Sequence, residues 1–136
     1  MTDRIPREKR SQIMANVKGR NTSPERLVKR CLRRLNCHYR SNVKSIPGTP
    51  DIALVGRNKL IFVHGCFWHG HKGCPRAGRP ETNKEFWGRK IDGNMKRDAR
   101  IIRRLRKSGW SVLIIWQCQT KDEERLERRL ARFTER

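Results

Sequence analysis

A chain of 136 residues with 34 lysines and arginines against 13 aspartates and glutamates carries a formal charge of +21, and such self-repulsion opposes compaction unless a polyanion supplies countercharge. The positive residues run through the whole length with apolar residues spaced regularly between them, which indicates a folded nucleic-acid binder and argues against a disordered basic arm. No apolar run approaches the roughly 18 residues that span a bilayer, and the first ten residues lack an apolar signal segment, so a cytoplasmic location with no membrane partner is expected.

That length suits a single domain, 1–136, with a modest core that needs no disulfides. Five cysteines, an odd number, in a reducing compartment read better as metal ligands with spares than as a disulfide framework. Residues 1–20 are polar and weakly patterned, a basic arm with a short helix near 11–18. Thr22 and Glu25 then stand at capping-box spacing around Pro24. Leu27, Val28, Cys31, Leu32 and Leu35 recur on one helical face, which makes Cys31 a small core residue.

Pro47, Gly48 and Pro50 mark a turn. A short strand over 51–55 follows, and Gly56 to Lys59 can close a hairpin into a near-continuously apolar strand over 60–64, suited to a sheet centre. The stretch 65–83 is rich in glycine, proline, cysteine and histidine, a loop held by something other than a core. A long helix is predicted over 84–108 from Ile91, Met95, Ile102 and Leu105, with Gly109 as its natural stop. The strand 110–116 is reached through that helix, which suits a parallel crossover. Asp122 can cap a last helix bearing Leu126, Leu130 and Phe133. The predicted order is αββαβα: an α/β fold with a small mixed sheet flanked by helices. Trp87, Trp110 and Trp116 read as core.

Cys66, His71 and Cys74 lie within nine residues, and Cys118 follows the last strand. If the apolar strands are neighbours, Cys118 comes beside the loop. Three thiolates and one imidazole suit tetrahedral zinc with no open position, a structural site that stabilises a loop too poor in apolar residues to bury itself. Cys37 and His38 are possible competing ligands but lie outside the loop.

The stretch Phe62-Val63-His64-Gly65-Cys66-Phe67-Trp68-His69-Gly70-His71 closely resembles the very short patch repair (Vsr) endonucleases. So do Pro47-Gly48-Thr49-Pro50-Asp51, the group Glu85, Phe86, Trp87 and Lys90, the run from Asn94 to Asp98, and the strand from Gly109 to Trp116 ending at Cys118. The N-terminal segments from Arg10 to Met14 and from Arg20 to Glu25 match too, so the resemblance covers nearly the whole chain in order.

The resemblance implies a restriction-endonuclease-like fold and a strand-nicking endonuclease that cuts 5′ to the T of a T·G mismatch left by deamination of 5-methylcytosine. It implies Mg²⁺ as catalytic metal beside structural zinc. It places Asp51 as the Mg²⁺ carboxylate, His69 as general base and His64 near the phosphate. Glu25 and Asp98 support the site; read alone, Glu25 also serves a capping box and Asp98 also pairs with a neighbouring arginine. Met14, Phe67 and Trp68 are the implied DNA-intercalating side chains, whose wedge is easiest to insert at a mismatch. The implied partner is double-stranded DNA with a T·G mismatch at the bacterial nucleoid, with mismatch-repair proteins and a repair polymerase as family partners. A monomer suits so asymmetric a lesion.

Two departures stand out. A family member carries threonine where this chain has Val63, so only the Val63 backbone carbonyl is left as a Mg²⁺ ligand. Lys72 and Gly73 also lengthen the spacing to Cys74 by one residue. The competing reading is a zinc-stabilised DNA-binding protein with no or altered nuclease activity.

Overall fold

The computed structural model describes residues 22–135. The N-terminal arm and Met14 lie outside the described residues. Helix α1 (Ser23–Arg34) buries Val28, Cys31 and Leu32 as the apolar spacing requires. Thr22 stands at its N-cap, but the hydroxyl makes no capping hydrogen bond, so the predicted capping box does not form. Asn36 adopts a left-handed conformation (φ 57°), and the Asn36 and Cys37 amides donate to the Arg33 and Leu32 carbonyls, closing the helix in a Schellman turn.

Three antiparallel strands follow, β1 (Tyr39–Ser41), β2 (Ile52–Leu54) and β3 (Lys59–His64). The sequence reading missed β1. It is three residues long with a half-buried first residue and two exposed ones, so it offers no apolar alternation to detect. Helix α2 (Lys84–Lys107) then crosses back to β4 (Ser111–Trp116), which pairs parallel with β3. Gly109, at φ 98°, ends α2 in a second Schellman turn, with the Gly109 and Trp110 amides on the Arg106 and Leu105 carbonyls. Helix α3 (Glu123–Thr134) starts as predicted, with the Asp122 carboxylate accepting from the Arg125 amide at 3.1 Å.

The sheet order is β1-β2-β3-β4, and the order of elements is αβββαβα. Strand alternation splits the core into two. Ile52, Leu54, Ile61 and Ile115 face α1 and α3, while Ala53, Leu60, Phe62 and Val112 face Ile102 and Leu105 of α2. The result is a three-layer α/β sandwich. The sequence's reading of a mixed sheet flanked by helices, with a parallel crossover through the long helix, is what the chain adopts. Among the described residues, no helix is long and apolar enough to cross a membrane.

Gly48 shows how tightly the turn before β2 is set. Its φ is +83°, and a Cβ there would lie 2.5 Å from Cγ2 of Ile101 on α2. Both the left-handed backbone and the close approach require glycine. Gly48→Ala is expected to cost about 1–3 kcal/mol in urea denaturation; an unchanged midpoint would contradict this view of the turn.

Candidate active site

The parallel pairing fixes the site. It sets the C-terminal ends of β3 and β4 side by side, with His64 in register with Trp116. Because β2 runs antiparallel to β3, its N-terminal end lies at the same end of the sheet, and Asp51 immediately precedes it. Strand β3 extends past its last partner on β2, Ile52↔Ile61. The Val63 amide, freed from the ladder, donates instead to Asp51 Oδ2 at 2.7 Å. In a strand the amide and carbonyl of one residue point to the same side, so the Val63 carbonyl faces the Asp51 side as well.

A cleft of about 430 Å³ opens here between α1, the sheet end and α2, lined among others by Glu25, Asp51, His64, His69, Arg97 and Asp98. Of the predicted site residues within 22–135, the cleft gathers Glu25, Asp51, Val63, His64, Trp68, His69 and Asp98. Burial, with Glu25 nearby, pushes the Asp51 carboxyl up to about 6, against the opposing pull of the Val63 amide. His64 is 5% exposed, and burial with His69 beside it holds its imidazole down to about 4, so it is neutral at physiological pH. The two imidazoles stack, centroids 3.9 Å apart and planes 6° apart. His69 Nδ1 meets Asp98 Oδ2 at 2.5 Å, so Asp98 pairs with His69 rather than with a neighbouring arginine.

Glu25 is buried at 2% exposure and salt-bridged to Lys29 at 3.1 Å. It lines the cleft. The spacing Asn94, Arg97, Asp98 puts three polar side chains on one face of α2, a signal sufficient to find two residues the sequence reading left unassigned. Asn94, 8% exposed, donates from Nδ2 to the Trp68 carbonyl at 2.9 Å and accepts from Arg97 at 2.9 Å. Arg97 is the one arginine or lysine among the described residues lining a cleft that holds three carboxylates.

Beside the cleft, Cys66, His71, Cys74 and Cys118 come together, one ligand atom of each lying within 4.8 Å of the others. The Cys118 amide donates to Cys66 Sγ at 3.4 Å, and Cys118 Sγ lies 3.5 Å from His71 Nδ1. Burial, with the Cys118 and Cys74 thiols adding to it, pushes the Cys66 thiol up to about 11. The extra residue before Cys74 is absorbed by the turn around Gly73, at φ 71°. Cys31 and Cys37 are buried in the core instead, so neither competes for this cluster. Three soft thiols and an imidazole in tetrahedral reach are a donor set that can hold a metal ion.

The loop's aromatics form a cluster. Phe67, Trp68 and Trp87 meet pairwise at 5.2–5.7 Å between centroids, and Phe86, 52% exposed, lies against Trp87. Trp68 is buried and Phe67 half-buried. Trp110 packs on the α2 side of the core as expected. Trp116 does not simply fill core; it stacks on His71, centroids 4.1 Å apart.

Residues 2–76 match the family model described as DNA mismatch endonuclease Vsr. The chain is 42% identical over 130 residues to the type II nicking enzyme V.XorIIP of Xanthomonas oryzae, covering 96% of this chain and 95% of that one. It is 38% identical over 133 residues to the type II nicking enzyme V.NmeAIP of Neisseria meningitidis, covering 98% and 94%. To the DNA mismatch endonuclease Vsr of Escherichia coli it is 38% identical over 126 residues, covering 93% and 80%. With the family model matching more than half the chain and these relatives spanning nearly all of it, the chain belongs to the Vsr family of DNA mismatch endonucleases.

Proposed function

We propose that this endonuclease nicks one strand of duplex DNA 5′ to the T of a T·G mismatch, with Mg²⁺ as catalytic metal and zinc as structural metal. The observation that supports it most is the meeting of Asp51, Val63, His64, His69 and Asp98 at one end of the sheet. His69, held through Nδ1 by Asp98, keeps Nε2 to take a proton from the attacking water, and the Asp98 carboxylate stabilises the imidazolium that forms. His64, neutral above about pH 4, contributes a hydrogen bond to the phosphate and no charge. Arg97, tethered to Asn94, supplies a permanent positive charge facing the phosphodiester.

Asp51 and the Val63 carbonyl would hold Mg²⁺, an oxygen donor set that suits a hard cation. A carboxylate desolvated and still ionised at neutral pH is a group that a divalent ion satisfies. When bound, the ion neutralises phosphate charge and acidifies its water. The valine side chain offers no donor where threonine would offer a hydroxyl, so position 63 contributes its backbone carbonyl alone. Cys66, His71, Cys74 and Cys118 would hold zinc as a closed, four-ligand site. Phe67 leads the wedge into the duplex with Trp68 and Trp87 packed behind it, and the surface lysines and arginines grip phosphates.

Asp98→Asn is expected to slow nicking about 10²- to 10⁴-fold with DNA affinity retained. The reading as a whole is tested with end-labelled duplexes holding T·G, C·G or T·A at one position, with and without Mg²⁺. A nick confined to the T strand of the T·G duplex and dependent on Mg²⁺ is expected. Tight binding without a nick would favour a zinc-stabilised binding protein instead.

A further inference from the structure

Trp116 contributes no proton or ligand atom, yet the ring contacts of the site converge on it. Its indole lies flat on His71, planes 8° apart, and meets His64 edge-on at 5.2 Å and 76°. His64 stacks on His69, and Asp98 holds His69. A continuous series of packed groups therefore runs from the Cys/His cluster to the Asp98 carboxylate.

His64 is the member that depends on packing. It is buried, and its Nδ1 has no hydrogen-bond partner among the described residues. The second side-chain torsion of histidine is broad and weakly restrained by itself, so the ring plane is set by its walls. Its aromatic walls among the described residues are His69 on one face, Trp116 at 5.2 Å and Phe62 at 5.9 Å. Phe62 belongs to the sheet core, and His69 is the group that must be free to react. Trp116 also stacks on His71 of the Cys/His cluster.

We propose that Trp116 is a positioning residue: braced against metal-held His71, it sets the ring plane of His64 and, through the stack, of His69. The metal cluster thereby governs the geometry of the reacting histidines without touching substrate. The proposal rests on the assignment of His64 and His69 to the reaction given above.

Two variants separate positioning from space-filling. Trp116→Leu keeps apolar bulk without a flat face, and Trp116→Phe keeps a flat face. Both are expected to hold one zinc ion per chain and to bind T·G duplex within about threefold of the parent, while single-turnover nicking falls about 10- to 100-fold in the leucine variant and about threefold at most in the phenylalanine variant. In the unbound zinc-loaded proteins, the His64 ring-proton resonances should shift in the leucine variant, because the indole ring current is lost and the imidazole turns. Parent-like nicking by the leucine variant would overturn the proposal. So would a rate loss that merely tracks loss of zinc or of DNA affinity, or equal losses in the two variants. If the parent nicks no duplex, the functional reading falls separately. A leucine variant whose His64 resonances change only by the calculated loss of indole ring current then overturns the positioning claim, and a further displacement supports it.

Discussion

Asp51→Asn is expected to abolish nicking, by about a thousandfold or more, and at the same time to make the metal-free protein more stable at pH 7. The second effect follows from burial. Asp51 has its carboxyl pushed up to about 6 by desolvation, above its unfolded value of about 3.8. Its folded-state contribution is therefore fully present below about pH 4 and lost as pH rises through about 6. At pH 7 the ionised, desolvated group costs about 1–3 kcal/mol, which asparagine removes.

His64 has the opposite sign. Its imidazole is held down to about 4 from an ordinary 6.5, so its contribution is present above about 6.5 and lost as pH falls through about 4. The two largely offset each other in the parent between pH 4 and 6. In the asparagine variant only the histidine remains, and stability should climb more steeply with pH across that window. Urea denaturation at pH 4.5, 5.5 and 7 checks this. Mg²⁺ should stabilise the parent and not the variant. A variant less stable than the parent at pH 7 would contradict the picture of Asp51 as a carboxylate held for a cation.

Zinc removal is expected to have the larger structural effect. On the proposed zinc assignment, the segment 65–83 takes its order from the four-ligand cluster, from the aromatic group around Trp87 and from the Arg79–Asp92 ion pair at 2.8 Å, which is exposed and worth little. Burial pushes the Cys66 thiol up, so without metal the cluster is a set of neutral thiols, and binding must expel their protons. Cys66→Ser, or treatment with a strong chelator, should lose more than about 3 kcal/mol on a scale where closed zinc sites contribute about 10. Nicking should go with it, because His69 and His71 ride on the same loop. Zinc content, thermal melting and hydrogen exchange across 65–83 are the measurements. Metal uptake should weaken as pH falls. Unchanged protection of the loop in the serine variant would show that the aromatics alone hold it.

Much of this site was legible in the sequence because its residues are clustered by the chain itself. Cys66, His71 and Cys74 lie on one loop, and the parallel pairing expected for the two apolar strands is what delivers Cys118. Asp51 was legible as a carboxylate between a proline turn and a strand. Strand β1 was not, because three mostly exposed residues leave no pattern. The pairing of Asp98 with His69 was invisible too, since it spans 29 positions and depends on how α2 lies across the sheet end. Glu25 showed a local signature, the capping box, of which the Thr22 half does not form, while the Glu25 side chain is buried at the cleft, a placement the local spacing does not reveal. Trp116 looked like core by composition, and only the register of β3 with β4 reveals that it stands beside His64.

The most direct test of the proposed chemistry is single-turnover cleavage of a T·G duplex labelled on each strand, comparing the parent with His69→Gln while DNA affinity is measured in parallel. The expected result is one nick on the T strand by the parent and a rate about 10²-fold lower or less in the variant, at unchanged affinity. A variant that nicks at the parental rate, or a parent that cuts both strands, would contradict the assignment of the Asp98-paired imidazole as the base of a strand-nicking site.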